Sequence, residues 1–168
     1  MIVSNLRLYY KWLKLWLLNC RDPLDLPRYP PRSPELKFLM EWCGVPDTPA
    51  FHRLLEKESQ GYVGLPNYTY LDSDAPVGVK YAGPNRIDKL LAIKDVVRDQ
   101  LVAGQRTAKS SATGLGQLLL PNTRIYYPDG PAGIGDPRNE LIGMWRYIVD
   151  RYGNAEAALA FHDAKHFY

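Results

Sequence analysis

The sequence predicts a mainly α-helical domain, and three observations carry that expectation. Apolar residues recur at three- and four-residue spacing in several stretches, cap residues and prolines stand immediately before those stretches, and glycines stand immediately after them. Ser33-Pro34 opens a helix with Leu36, Leu39, Met40 and Cys43 as its inner face and Gly44 as its stop. Thr48-Pro49 opens a second one, in which Phe51, Leu54, Leu55 and Glu58 share a face and Ser59, Gln60 and Gly61 follow. The link between these two helices is so short that they are expected to pack as a hairpin. Asn85 caps a third helix that runs to about Val102 with Gly104 beyond it, and Asp136-Pro137 starts a fourth, with Leu141, Met144, Trp145, Ile148 and Tyr152 inward and Gly153 as its end.

Composition bounds the remaining possibilities. A chain of 168 residues that is 46% hydrophobic and 23% charged can bury a real core and is not disordered. Its net charge of +3 is mild and its Lys and Arg are scattered among acids, so nucleic acid is not an expected partner, whereas weak attraction to an anionic wall polymer is compatible with it. Cys20 and Cys43 are too few for a disulfide framework and read as buried free thiols. They have no metal-ligand spacing, and neither a metal nor a cofactor is expected. No apolar run approaches the ~18 residues of a membrane span.

Residues 6 to 18 form an amphipathic helix with Arg7, Lys11 and Lys14 on a narrow cationic stripe and Tyr9, Trp12, Leu13, Trp16 and Leu17 around much of the rest. Such a helix can lie in a membrane interface, or pack on the domain or on a partner chain. Lysines interrupt its apolar run and no small-residue cleavage site follows, so it does not read as a secretory signal. Residues 22 to 34 hold five prolines and read as an extended connector. A domain boundary is therefore expected between residues 1–47 and 48–168.

Glu58 is the candidate for chemistry. A carboxyl group at the end of an apolar stripe is harder to ionise than one in water, and its pKa rises toward the range in which it can protonate a leaving group. Glu56 and Lys57 read as its solvated neighbours. Between Glu58 and the next informative stretch lies a long polar and aromatic segment with Tyr62, Tyr68, Tyr70 and Tyr81, candidate sugar-stacking rings, and with Asp72 and Asp74. It has room for a short β-hairpin or an Ω-like loop.

The sequence then reaches Gly114-Leu115-Gly116-Gln117, two glycines that let the backbone approach a ligand with one amide side chain at the edge. Following a helix that ends in Glu58-Ser59, the residues Ser111, Thr113, Gly114 to Gln117 and Pro121-Asn122-Thr123 resemble the lytic transglycosylases of soluble-transglycosylase, goose-lysozyme-like fold. Asp136-Pro137, Glu140-Leu141, Met144, Tyr147-Ile148 and Arg151-Tyr152-Gly153 fall at intervals similar to a second family pattern. Ala158 to Lys165 is similar to its last helix, with His162 and Asp163 where many members have a cleft-facing tyrosine and asparagine. The terminal Phe167-Tyr168 looks more like domains carried by phage tail proteins than like secreted bacterial ones.

This resemblance implies a lysozyme-like helical domain with a long insertion, peptidoglycan glycan strands as substrate, and Glu58 as the single catalytic acid. It implies a cleft floor at Gly114, Leu115, Gly116 and Gln117, with Ser59 or Ser111 orienting Glu58 and with Tyr147, His162 and Asp163 toward the substrate. A lone histidine on a terminal helix otherwise reads as a packed or surface residue rather than a base. The implied setting is a phage virion acting at the host wall, with residues 1–47 available to other virion or tail proteins. Two departures stand out: the stretch from Glu58 to Gly114 is longer than in many members, and Glu140 replaces a family asparagine. A goose-type muramidase and an inactive structural virion protein are the competing expectations.

Overall fold

The computed structural model of the protein describes residues 26–67, 103–105 and 110–166. Over these residues the chain is mainly helical, in the order α1 (Pro34–Cys43), α2 (Pro49–Glu58), β1 (Pro66–Asn67), β2 (Ala112–Thr113), α3 (Leu120–Tyr126), a 3-10 turn at Gly130–Gly133, α4 (Pro137–Tyr152) and α5 (Ala155–Lys165). The helix expected over residues 6 to 18, Cys20, Tyr68, Tyr70, Tyr81, Asp72, Asp74, the Asn85 to Val102 helix and the terminal Phe167-Tyr168 lie outside the described residues.

Four of the five described α-helices begin at a residue whose own side chain caps them. Ser33 Oγ accepts the Leu36 N–H at 3.1 Å, Thr48 Oγ1 accepts that of Phe51 at 3.2 Å, and Asp136 Oδ1 accepts that of Arg138 at 2.9 Å, so donors with no partner inside the helix are satisfied. Asn154, a cap not singled out in the sequence, does the same for Ala157 at 2.8 Å. α1 ends on Gly44 in the left-handed region, where its N–H reaches Glu41 O and that of Val45 reaches Met40 O.

That reversal overturns the expected α1–α2 hairpin. The closing turn leaves Val45 buried, and the chain passes Pro46 before α2 begins, so the two helices diverge onto different partners. α1 packs on α4, while α2 packs on α5, and α5 in turn on α4. Their shared core takes Leu36, Leu39 and Met40 from α1, Phe51, Leu54 and Leu55 from α2, Leu141, Met144 and Ile148 from α4, and Ala155 and Ala158 from α5. A single core thus draws on residues on both sides of position 48. Cys43 lies at its margin, half-buried rather than buried, as a free thiol whose pKa burial pushes up to about 12.

The described part of the proline connector is woven into this body. Tyr29, buried in the core, donates its N–H to Gly61 O at 2.8 Å, and Val63 donates to Pro27 O at 2.9 Å. Gly61 has φ +84°, and a Cβ there would lie 2.0 Å from Tyr29 O, so the third residue after α2 must be glycine both for its turn and for this close approach. His52, also buried, fixes the other end: Nδ1 accepts the Arg32 N–H at 3.1 Å, and Nε2 meets Asp47 Oδ1 at 2.6 Å. Tyr62 is buried beneath the Arg28 guanidinium, 4.7 Å from its ring centre, and is not the exposed stacking surface expected of it.

Candidate active site at the end of helix α2

Glu58 is the last residue of α2, one turn beyond Leu54 and Leu55, which are fully buried. Only 16% of its side chain is exposed, and burial pushes its pKa up to about 7 while the Lys57 ammonium pulls the other way. The apolar stripe read from the sequence therefore does hold a carboxyl that is difficult to ionise.

The partner of that carboxyl comes from the far end of the chain. Packing of α5 on α2 sets His162 Nε2 at 3.1 Å from Glu58 Oε1, with 11% of the histidine side chain exposed. Burial first and Lys57 second lower the His162 pKa, which disfavours the charged ring. His162 is thus a packed residue, as expected of a lone histidine on a terminal helix, and its packing sets it beside Glu58. Asp163, one position on, turns outward and pairs with Lys57 at 2.9 Å, so Lys57 is not a free solvated neighbour. Glu56 is exposed and pairs with Arg53 at 2.6 Å.

Neither serine orients Glu58. Ser59 is buried as the C-cap of α2, and its Oγ accepts the Gly61 N–H at 3.2 Å. Ser111 Oγ accepts the Leu120 N–H at 3.1 Å, capping α3, whose own N-cap residue Leu119 has no side chain able to do so.

The glycine-rich stretch is a tight turn at the end of the short β1–β2 ladder, in which Thr113 and Leu118 exchange backbone hydrogen bonds at 3.0 and 3.1 Å. Gln117 has φ +48°, uncommon for a residue with a side chain, and it is not the first residue of a helix, since α3 begins at Leu120. Its Nε2 donates to Leu65 O at 3.0 Å and to Gly114 O at 2.9 Å, which commits both amide hydrogens to holding the turn against the segment that follows α2. Leu115 is fully buried in the core and Gly116 is buried, so Leu115 is a packing residue rather than a ligand contact. Tyr147 is likewise buried, among Tyr126 and Tyr152, in a second apolar cluster.

The residue that the sequence reading underrated is Glu140. Its carboxylate is wholly buried in the first turn of α4, where it accepts the N–H of Gly64 at 2.9 and 3.1 Å, of Leu115 at 2.8 Å and of Gly135 at 2.7 Å. Burial drives its pKa up to about 7 against these three donors, which favour the anion. It joins the loop after α2, the Gly114 to Gln117 turn and the loop before α4, with no exposed surface of its own. The signal that could have found it is the set of glycines at 61 and 64, 114 and 116, and 133 and 135, three backbones able to approach one acid. Among the described residues no group of three His, Cys, Asp or Glu side chains is gathered for a metal ion, and no helix is long and apolar enough to cross a membrane. No family model matches this chain, and no curated protein or solved structure matches it.

Proposed function

We propose that the protein is a peptidoglycan lytic transglycosylase of lysozyme-like fold in which Glu58 is both acid and base. The single observation that carries this reading is the Glu58 carboxyl, mostly buried at the end of an apolar helix face, with its pKa near 7. A group of that pKa is protonated in a useful fraction at neutral pH and is a competent base once it has given its proton away.

Protonated Glu58 donates to the glycosidic oxygen between N-acetylmuramic acid and N-acetylglucosamine as the C1–O bond breaks. The muramic acid C6 hydroxyl then attacks C1 and gives its proton to the Glu58 carboxylate, closing a 1,6-anhydro ring and restoring the acid. The substrate's N-acetyl oxygen stabilises the positive charge at C1, so no second carboxylate is required. Gln117 suits a role in holding that N-acetyl group: its two amide hydrogens anchor the turn, and its carbonyl oxygen makes no hydrogen bond among the described residues.

The hydrolytic alternative needs a second carboxylate placed to activate water. Of the acids that could fill that role, Asp163 is exposed and paired with Lys57, while Asp72 and Asp74 lie outside the described residues, so the transglycosylase outcome rests on the family resemblance. A phage particle that opens its host's wall is the setting we propose, with residues 1–47 contacting other virion proteins. Digestion of purified peptidoglycan with product identification by mass tests the reading. Anhydromuropeptides are expected to dominate, and products ending chiefly in reducing muramic acid would assign a muramidase instead.

A further inference from the structure

We infer that His162 is the positioning residue of Glu58: its Nε2–H donates to Oε1 and thereby leaves Oε2 as the one oxygen that carries, delivers and recovers the proton. The inference rests on the transglycosylase reading and adds to it a residue from the opposite end of the domain.

A carboxylic acid has two oxygens and a free rotation, and an unrestrained one presents its proton to the glycosidic oxygen only part of the time. His162 Nε2 lies 3.1 Å from Glu58 Oε1, close enough to restrain that oxygen when the ring carries its hydrogen on Nε2. The ring is itself held. α5 is anchored through buried Ala155 and Ala158, and the neighbouring Asp163 ties the same turn to α2 through Lys57 at 2.9 Å.

The charge state follows from the surroundings. Among the described residues the charged groups about the ring are Glu58 and Lys57 from α2 and Asp163 and His166 from α5; burial and then Lys57 lower the His162 pKa, and Asp163 opposes them. A cationic ring would take Glu58 into an ion pair and leave an anion with no proton to give. A neutral ring with hydrogen on Nε2 leaves the acid protonated on Oε2, and after transfer the same N–H stabilises the carboxylate formed. When the C6 hydroxyl proton returns to Oε2 the pair is restored, with no net change in the protonation of either residue.

The test compares the full-length wild type with His162→Gln, which keeps a side-chain N–H donor but does not titrate, and with His162→Phe, which has no donor. Carboxyl NMR reads the Glu58 titration directly, and soluble-product release reads turnover. In His162→Phe the Glu58 midpoint is expected to rise by about one pH unit and kcat to fall roughly 10-fold with KM within about twofold, the scale of losing one hydrogen bond to a charged group. His162→Gln is expected to stay within about threefold of wild type in kcat, with the Glu58 midpoint nearly unmoved. A merely structural role would not shift the Glu58 titration in one folded variant and spare it in the other. Identical Glu58 titrations in all three proteins, or His162→Gln as impaired as His162→Phe, would overturn the inference. If the wild type releases no anhydro sugar, the transglycosylase reading fails by itself, and the NMR titrations still decide whether His162 and Glu58 are a pair.

Discussion

Gly114 and Glu140 occupy adjoining space that leaves no room for a methyl group: a Cβ on Gly114 would lie 2.6 Å from Glu140 Cδ and 2.7 Å from the Tyr127 hydroxyl. Gly114 also has φ +77°, a conformation that costs an alanine ~1–2 kcal/mol. Overpacking against a buried carboxylate adds a similar amount, so Gly114→Ala is expected to lose about 3 kcal/mol of stability, read as a lowered urea midpoint. A midpoint equal to wild type would mean that the turn does not close on Glu140.

Glu140 should be among the most sensitive polar positions in the described body. Truncation to Ala strands three N–H groups, from Gly64, Leu115 and Gly135, and is expected to cost ~3–5 kcal/mol. Glu140→Gln keeps one carbonyl oxygen but turns an NH2 toward a backbone donor, for an expected loss of about 2 kcal/mol. Denaturant unfolding measures both. A Gln variant as stable as wild type would show that the backbone donors do not need both carboxyl oxygens as acceptors.

Asp163 behaves oppositely. Its carboxylate is 55% exposed and its pairing with Lys57 is at the surface, where such a pair is worth ~0.2–1 kcal/mol. Asp163→Asn should therefore retain product release within about threefold of wild type. A collapse of activity would give Asp163 a catalytic part and favour water activation.

Glu58 is expected to be held at the expense of stability. Its folded-state pKa is raised from 4.5 to about 7, so the folded chain binds this proton more tightly than the unfolded chain does. The stability it contributes is full below about pH 4.5 and is lost as pH rises to about 7, after which the difference stays constant. Glu58→Gln removes that slope, and at pH 8 it should be more stable than wild type by about 3 kcal/mol, with the gap closing toward pH 4.5. Urea unfolding at several pH values reads the difference. A variant less stable than wild type at pH 8 would contradict the burial argument.

Local chemistry made much of this body legible in the sequence. The Ser33-Pro34, Thr48-Pro49 and Asp136-Pro137 starts and the Gly44 and Gly153 ends are all where cap and proline rules put them, because those rules act within one turn of chain. The burial of Glu58 was also legible, since Leu54 and Leu55 share its face. What the sequence concealed depends on distant packing. Nothing local says that α2 rests on α5 rather than on α1, so the approach of His162 to Glu58 could not be read. Glu140 looks like an ordinary acid in a helix's first turn, where it suits the helix dipole, and only the return of Gly64 and Leu115 from far along the chain shows it enclosed. Gln117 gave no warning of its left-handed backbone, because no glycine marks that position.

The most direct test of the central claim is the release of anhydromuropeptides from purified peptidoglycan by wild type and by Glu58→Gln, each shown to be folded by its unfolding transition. The amide keeps the size of the side chain and loses its proton, so the variant should release these products at least ~100-fold more slowly than wild type. Release by Glu58→Gln within about tenfold of the wild-type rate would contradict the assignment of Glu58 as the single acid and base.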